Sequence, residues 1–247
     1  MHTMTDFTID CRPRRFCEVW GDTEIKRIMQ VWLAKDIRPK SIVLVGRCGI
    51  GKSTLGKLIA QRFNCRISSK HEVEPCLRCD SCDDSARLHP RESDLTNLTV
   101  EQVRYQLRIA INLFNDETAV YYDEMQRWYM KNQEIFLKPI EEAEKLYLIF
   151  STTDIKAIDE AILSRSVILE VSPPSPDEMV AGLTPIASEN NIKISEAVLR
   201  KLIRMSKNTP RKCLSAFNVL ATMESEITEG TLESDLMRRI LLSEWAF

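Results

Sequence analysis

Three groups of residues in this chain have types and spacings that can do chemistry. The first is Ser41 to Thr54, SIVLVGRCGIGKST. Gly46, Gly49, Ile50, Gly51, Lys52, Ser53 and Thr54 fill the G-x-x-x-x-G-K-[ST] pattern of a phosphate-binding P-loop. Glycines there let backbone amides curl around phosphate oxygens, and the helix N-terminus adds unpaired N–H groups. Lys52 can reach the β- and γ-phosphates, and the Ser53 hydroxyl can ligate Mg²⁺. Four of the chain's 7 glycines (Gly46, Gly49, Gly51, Gly56) fall in this short segment, which argues against a chance match.

The second group is Cys65 with Cys76, Cys79 and Cys82. Overlapping C-x-x-C units plus an upstream cysteine supply four thiolates, the set a structural Zn²⁺ takes. Charged neighbours (Lys70, Glu72, Glu74, Arg78, Asp83, Asp84) argue against packing these thiols in an apolar core. Reactive thiols or an iron–sulfur cluster are the alternatives. His71 and His89 are spare ligands, better read as exposed loop residues. Cys11, Cys17, Cys48 and Cys213 read as ordinary thiols. The third group is Asp123-Glu124, which follows the apolar run Ala119 to Tyr122 about seventy residues beyond the P-loop. An Asp-Glu pair delivered by a buried strand suits Mg²⁺ ligation by Asp123 and polarisation of water by Glu124.

The elements that must hold these groups follow from periodicity. Ile42 to Val45 and Ala119 to Tyr122 read as buried strands, and Leu146 to Phe150 and Val167 to Val171 as two more strands. Helices are expected at 22–35 with Asp22 as cap, at 52–63, at 100–114 with Val103, Leu107, Ile111 and Phe114 on one face, and at about 129–142. Strands alternating with helices give a parallel α/β sheet, which binds ligands at strand C-terminal ends. Ser172-Pro173-Pro174-Ser175-Pro176 is a stiff linker and the best boundary. Helices at 177–190, 195–206, 210–223 and 230–244 then make a small all-helical unit. The expected division is 1–172, with a zinc insertion at about 65–90, and 177–247.

The chain has 247 residues, is 44% apolar and carries a formal charge of -2, so any nucleic-acid surface must be local. No apolar run has membrane-spanning length, and Asp6, Asp10 and Arg12 leave no secretory h-region. The expectation is a soluble, cytoplasmic protein, whose 8 cysteines point to metal or free thiols before disulfides.

The order of these parts resembles the bacterial clamp-loader ATPase family, the gamma/tau subunits of DNA polymerase III, within the AAA+ superfamily. The residues that carry it are Arg12-Pro13 with Phe16, Val19 and Gly21, the P-loop, Asn64-Cys65, Pro75-Cys76-x-x-Cys79-x-x-Cys82, Asp123-Glu124, Thr152-Thr153-Asp154, Leu163-Ser164-Arg165 and Pro210-Arg211-Lys212-Cys213-Leu214. The zinc insertion after the P-loop helix is the most specific of them. The resemblance implies an AAA+ parallel-sheet P-loop domain with a zinc insertion and a helical lid. It implies an ATP hydrolase whose activity depends on oligomerisation and drives sliding-clamp loading in DNA replication.

By residue, Thr153 resembles the sensor 1 position and Arg211 sensor 2. Arg165 resembles the arginine finger that reaches a neighbouring subunit's ATP. Arg12 to Gly21, with Arg12 and Val19, resembles the segment that wraps adenine. ATP, Mg²⁺ and Zn²⁺ are the implied cofactors. A ring of AAA+ subunits, with a pentamer as the candidate stoichiometry, DNA and a sliding clamp are the implied partners. In the family, DNA touches the starts of the helices after the second and third strands, which here carry Asn97, Thr99, Gln102, Lys131 and Asn132. Ser166 stands where the family has cysteine, and Glu141-Glu142-Ala143 lacks its double proline. The family's third, collar domain has no counterpart before Phe247. That departure suits a truncated or minimal version, or the competing reading: an ATP-dependent oligomeric scaffold or switch of a mobile-element or defence system.

Overall fold

The computed structural model describes residues 6–69, 72–82, 92–112 and 117–234. His71, His89, Lys70, Asp83, Asp84, Phe114, the end of the zinc insertion and the last helix beyond 234 lie outside them. The central sheet contains β1 (Ser41–Val45), β2 (Glu92–Asp94), β3 (Thr118–Asp123), β4 (Leu146–Thr152) and β5 (Val167–Glu170). Its order is β2-β3-β4-β1-β5, and every pairing is parallel. β2 reads Glu-Ser-Asp at an edge, and such a short polar strand has no apolar signal to find.

After α1 (Phe7–Asp10), helices flank both faces of the sheet: α2 (Thr23–Ala34), α3 (Lys52–Asn64), α4 (Val100–Asn112), α5 (Met130–Gln133), α6 (Leu137–Glu142) and α7 (Glu160–Leu163). Side chains alternate across a strand. Ile42, Leu44, Ala119, Tyr121, Tyr147 and Ile149 therefore enter one core with α2 and α3. Val43, Val120, Tyr122, Leu148 and Phe150 enter another with α4 and α6. The alternation matters for the site, because it sends Asp123 and Ser151 to the face that carries α3. Gly56 lets α3 lie close on that face: a Cβ there would sit 2.3 Å from the Tyr121 ring.

Beyond the proline linker come α8 (Pro176–Glu189), α9 (Glu196–Met205), α10 (Pro210–Met223) and α11 (Glu229–Glu233), with a two-residue parallel pair, β6 (Lys193–Ile194) and β7 (Glu226–Ile227). Their core includes Met179, Leu183, Leu199, Leu202, Phe217 and Leu220. Phe7 of α1 joins it, with its ring centroid 5.6 Å from that of Phe217. The first residues of the chain thus pack on its last unit.

Three local expectations are corrected. Asp22 does not cap α2; its φ is 53°, and its Oδ1 accepts from the Ser172 amide at 3.1 Å instead. Ile111 is 43% exposed, and the buried stripe of α4 is Val103, Leu107 and Ala110. The helix expected at 129–142 is broken into α5, a 3₁₀ turn Glu134–Phe136 and α6. Pro139 accounts for the break, since it has no N–H for the carbonyl four residues back and its ring clashes with it.

Candidate nucleotide site and cysteine cluster

β1 ends at the P-loop, whose turn needs backbone that only glycine adopts freely: φ is 79° at Gly49 and 118° at Gly51. Gly46 is required for a different reason. A Cβ there would meet Ile50 Cδ1 at 2.6 Å and the Val171 carbonyl at 2.7 Å. Lys52 is buried, and its Nζ donates to the Arg47 carbonyl across the loop at 2.9 Å. Burial pulls its pKa below the ordinary lysine value, while Cys48, Glu124 and Asp123 pull the other way.

Asp123 leaves β3 on the α3 face. Burial raises its pKa, but hydrogen bonds from Ser151, Ser53, Tyr121 and the Glu124 amide outweigh this, so the carboxyl sits below its ordinary value. An ionised carboxylate beside the Ser53 hydroxyl is the donor pair a hard cation takes. Ser151, from β4, is the residue sequence reasoning missed. Its hydroxyl donates to Asp123 and accepts from Tyr121 OH at 2.9 Å. Only strand register could have pointed to it, because a serine at a strand end carries no motif.

Glu124 has φ 57°, a left-handed conformation unusual for a non-glycine residue and a mark of a constrained site. Its carboxylate accepts from Gln126 Nε2 and lies 3.7 Å from Arg127 Nε. Gln126 Oε1 accepts from the Thr153 amide at 3.2 Å, so one side chain joins Glu124 to Thr153. Behind them, buried Gln133 donates to the Trp128 and Ala157 carbonyls at 3.1 and 2.9 Å and accepts from the Asp159 amide at 2.9 Å. The loops after β3 and β4 are thereby one body.

A cavity of about 280 Å³ opens over the P-loop. Gly49, Ile50, Gly51, Lys52, Ser53, Thr54 and Glu124 line it, together with Arg12, Val19 and Trp20 from the start of the chain and Arg211 and Leu214 from α10. The Arg211 amide donates to the Gly49 carbonyl at 3.2 Å, which docks the start of α10 on the P-loop. Arg165 is not among the lining residues. It is exposed, with Nη2 2.6 Å from Glu141 and Nη1 donating to the Ala161 carbonyl at 2.8 Å. Ser166 Oγ donates to the Ile162 carbonyl and lies 2.6 Å from Ser41 Oγ. A larger groove, about 690 Å³ between α8, α9 and the β6–β7 pair, contains none of the motif residues.

The four cysteines expected to share a metal do come together. The Sγ atoms of Cys65, Cys76, Cys79 and Cys82 all lie within 4.8 Å of one another. A tetrahedral zinc with Zn–S near 2.3 Å needs sulfurs about 3.8 Å apart, so the donor set fits. Burial raises the Cys65 thiol, but the Ser68 hydroxyl and the amides of Ser68, Cys76 and Ile67 bring it down to about 6. The loop is pinned to α3: Gln61 Nε2 donates to the Cys82 carbonyl at 2.7 Å, and buried Arg62 donates to the Glu72 and Ser69 carbonyls at 2.8 Å. Glu74 ties it to the N-terminal segment by accepting from the Phe16 and Cys17 amides at 2.7 and 2.9 Å.

Thr99 and Gln102, expected at a DNA surface, are occupied in capping α4: the Thr99 amide donates to Gln102 Oε1 at 2.8 Å, and the Gln102 amide to Thr99 Oγ1 at 3.3 Å. Asn97 Nδ2 donates to Asp94 at 3.4 Å. Lys131 is exposed and Asn132 half-buried at α5.

Comparison with known proteins places the chain. It is 27% identical over 221 residues to the DNA polymerase III subunit gamma/tau of Mycoplasma pneumoniae, covering 88% of this chain and 32% of that protein. It is 24% identical over 252 residues to the DNA polymerase III subunit gamma of Buchnera aphidicola subsp. Baizongia pistaciae, covering 91% and 62%. Against the Replication factor C small subunit 2 of Pyrobaculum arsenaticum it is 25% identical over 226 residues, covering 91% and 66%. The chain thus spans about a third of the Mycoplasma relative's length. The Thermotoga maritima RuvB Holliday junction branch migration motor superposes with a TM-score of 0.66 at 16% identity, covering 90% of this chain and 70% of that one, which shows the AAA+ fold. A family model described as DNA polymerase III, delta subunit, matches residues 21–175. On that match, which takes in more than half of its residues, the chain belongs to the DNA polymerase III delta subunit family of clamp-loader AAA+ proteins.

Proposed function

We propose that this protein is an AAA+ ATPase of clamp-loader type, which binds Mg·ATP over the P-loop and hydrolyses it at contacts between subunits. One observation carries the reading. Lys52, Ser53 and Glu124 converge on a single cavity that Arg211 of the lid also lines, while Arg165 stands outside it on the surface. An AAA+ site whose arginine is not its own is completed by a neighbour. In this reading Ser53 and Asp123 hold Mg²⁺, Glu124 orients the attacking water, and Thr153 senses the γ-phosphate through Gln126. The work done is the loading of a sliding clamp, or related remodelling, on DNA in the cytoplasm. The subunits form a ring, a pentamer being the working stoichiometry. Asn97, Thr99, Gln102, Lys131 and Asn132 line its DNA side without reading sequence. Cys65, Cys76, Cys79 and Cys82 hold one structural Zn²⁺ per chain, which metal analysis of purified protein checks.

The test is hydrolysis as a function of protein concentration, with variants. Specific activity should rise with concentration. Arg165→Ala should bind ATP normally and lose turnover on the order of a thousandfold, the scale of arginine fingers. Mixing Arg165→Ala with Glu124→Gln subunits should restore part of the activity at mixed contacts. Arg165→Ala turning over like wild type would sink the shared site. ATP hydrolysis with no ATP-dependent DNA binding at low salt would favour the scaffold reading.

A further inference from the structure

Tyr121 is a buried polar group to which the chemistry above gives no part. Its side chain is fully covered on the face of the sheet that carries α3. The ring has room there because α3 has glycine at position 56: an alanine methyl would meet Cε2 at 2.3 Å, Cδ2 at 2.6 Å and Cζ at 2.8 Å. Glycine is a poorer helix former than alanine, so the space is kept at a cost to α3. The hydroxyl ends among the groups assigned to the cation. It donates to Ser151 Oγ at 2.9 Å, and Ser151 Oγ donates in turn to Asp123 Oδ1. Ser53 and Asp123 are also within its hydrogen-bonding reach. Each hydroxyl has one proton to give, so the chain Tyr121–Ser151–Asp123 has a direction and ends on the carboxylate. Asp123 Oδ1 takes a second bond from the Glu124 amide at 2.9 Å, so donors from β4 and from the end of β3 together set the rotation of the carboxylate. A phenol in this sheet is not satisfied as a matter of course. Tyr122, one residue on, enters the other core, where its hydroxyl is buried with no partner among the described residues.

An ionised carboxylate beside the Ser53 hydroxyl suits a hard cation, and groups that hydrogen-bond such a ligand from behind orient it and set affinity without touching the metal. We propose that Tyr121 and Ser151 are positioning residues for the cation: their hydroxyl chain holds the Asp123 carboxylate against Ser53 and so sets how much Mg²⁺ adds to nucleotide affinity. The proposal rests on the nucleotide reading above and adds two residues that neither the P-loop pattern nor the Asp-Glu pair contains. Neither of the two lines the cavity, so their effect on a ligand must pass through Asp123 and Ser53.

The experiment is equilibrium binding of ATP, once with excess Mg²⁺ and once with excess EDTA. The proteins compared are wild type, Tyr121→Phe, Ser151→Ala, Asp123→Asn and the Tyr121→Phe/Asp123→Asn double variant. The quantity read is the ratio of the two dissociation constants, the gain from metal. Tyr121→Phe keeps the ring against Gly56 and removes one oxygen. In Tyr121→Phe and in Ser151→Ala the gain should fall about tenfold, the scale of groups that sit behind a metal ligand, while metal-free affinity stays within twofold. In the double variant the gain should be no smaller than in Asp123→Asn alone, because a chain that acts through the carboxylate then has nothing to act on. An unchanged gain in both single variants would show that the hydroxyls only satisfy each other in the core, and would overturn the proposal while leaving the nucleotide reading intact. Equal losses with and without metal would overturn it too, as general damage to the P-loop. Wild type binding ATP equally well in Mg²⁺ and EDTA would overturn the cation site along with the proposal, and wild type binding no ATP would overturn the nucleotide reading as well.

Discussion

At the P-loop, Lys52 and Ser53 open α3 just beyond β1, and Asp123 and Ser151 lie at the C-terminal ends of β3 and β4 in the same sheet. Elsewhere in the cavity wall, Arg12, Val19, Trp20 and Leu214 come from the start of the chain and from α10, nearly two hundred positions apart, and meet only because both units fold and dock. The first part is fixed by backbone hydrogen bonds and strand register, which do not move without breaking the sheet. The second depends on side-chain packing and on hinge contacts such as Asp22 with Ser172. The difference teaches a division of labour for the proposed nucleotide site: the sheet supplies the rigid P-loop end, and the two docked units supply the rest of the cavity wall.

The largest effect expected from breaking this contrast is at the P-loop. Lys52→Ala should lower affinity for both ATP and tripolyphosphate, which has no base, by roughly a hundredfold or more, since a charge-assisted contact is lost in a buried setting. Calorimetric titration of both ligands checks it; a loss confined to ATP would contradict the division.

An intermediate effect is expected where the cysteine loop reaches the wall supplied by the start of the chain. Glu74 holds the Phe16 and Cys17 amides, so Glu74→Ala should weaken ATP binding roughly tenfold, about one net hydrogen bond to a charged group, and spare tripolyphosphate. Removing the proposed zinc with a chelator should act in the same direction on the same ligand. Equal losses for both ligands would mean that the loop supports the whole domain and not that wall.

The smallest effect is at the hinge. Desolvation raises the Asp22 pKa to about 6, against a lowering by the Ser172 hydrogen bond and Lys26, with Glu178 adding to the rise; Oδ2 is buried without a partner among the described residues. A carboxyl raised in the folded state favours folding most when protonated. That contribution is complete below its ordinary value of 3.8 and is lost as pH rises through about 6. Asp22→Asn should therefore stabilise the protein at pH 7 to 8 by on the order of 1 kcal/mol, discounted for the solvent that reaches the group, and make no difference near pH 4. Thermal melting across that range checks it, and a constant difference would show that the carboxyl stays ionised.

How much of this was legible depends on whether a residue's role is local. The P-loop, Asp123-Glu124 and the cysteine set carry their chemistry in consecutive or near-consecutive residues. Their types and spacing were enough to place them, and the strands around them announce themselves by apolar runs. Ser151 was not legible, because its role follows from pointing to the same sheet face as Tyr121 and Asp123, a matter of register between strands. Thr99 and Gln102 are expected from the resemblance at a DNA surface, and each satisfies the other's backbone at a helix start. Asp22 stands at the head of a helix and still turns away from it, since the Ser172 amide from the linker competes for its oxygen.

By itself, then, the sequence determined the glycine turn and lysine of the P-loop, the clustering of the four thiols and the alternation of strands and helices, because each is written in the backbone demands and donor atoms of a few adjacent residues. Only the tertiary structure decided the far wall of the cavity, the packing of Phe7, Cys11 and Trp20 on the helical unit, the fit of Trp20 into the notch at Gly182 of α8 and the position of Arg165 outside the cavity. These are contacts between segments far apart in the chain. Their partners are set by shape and burial, which no spacing within one segment records.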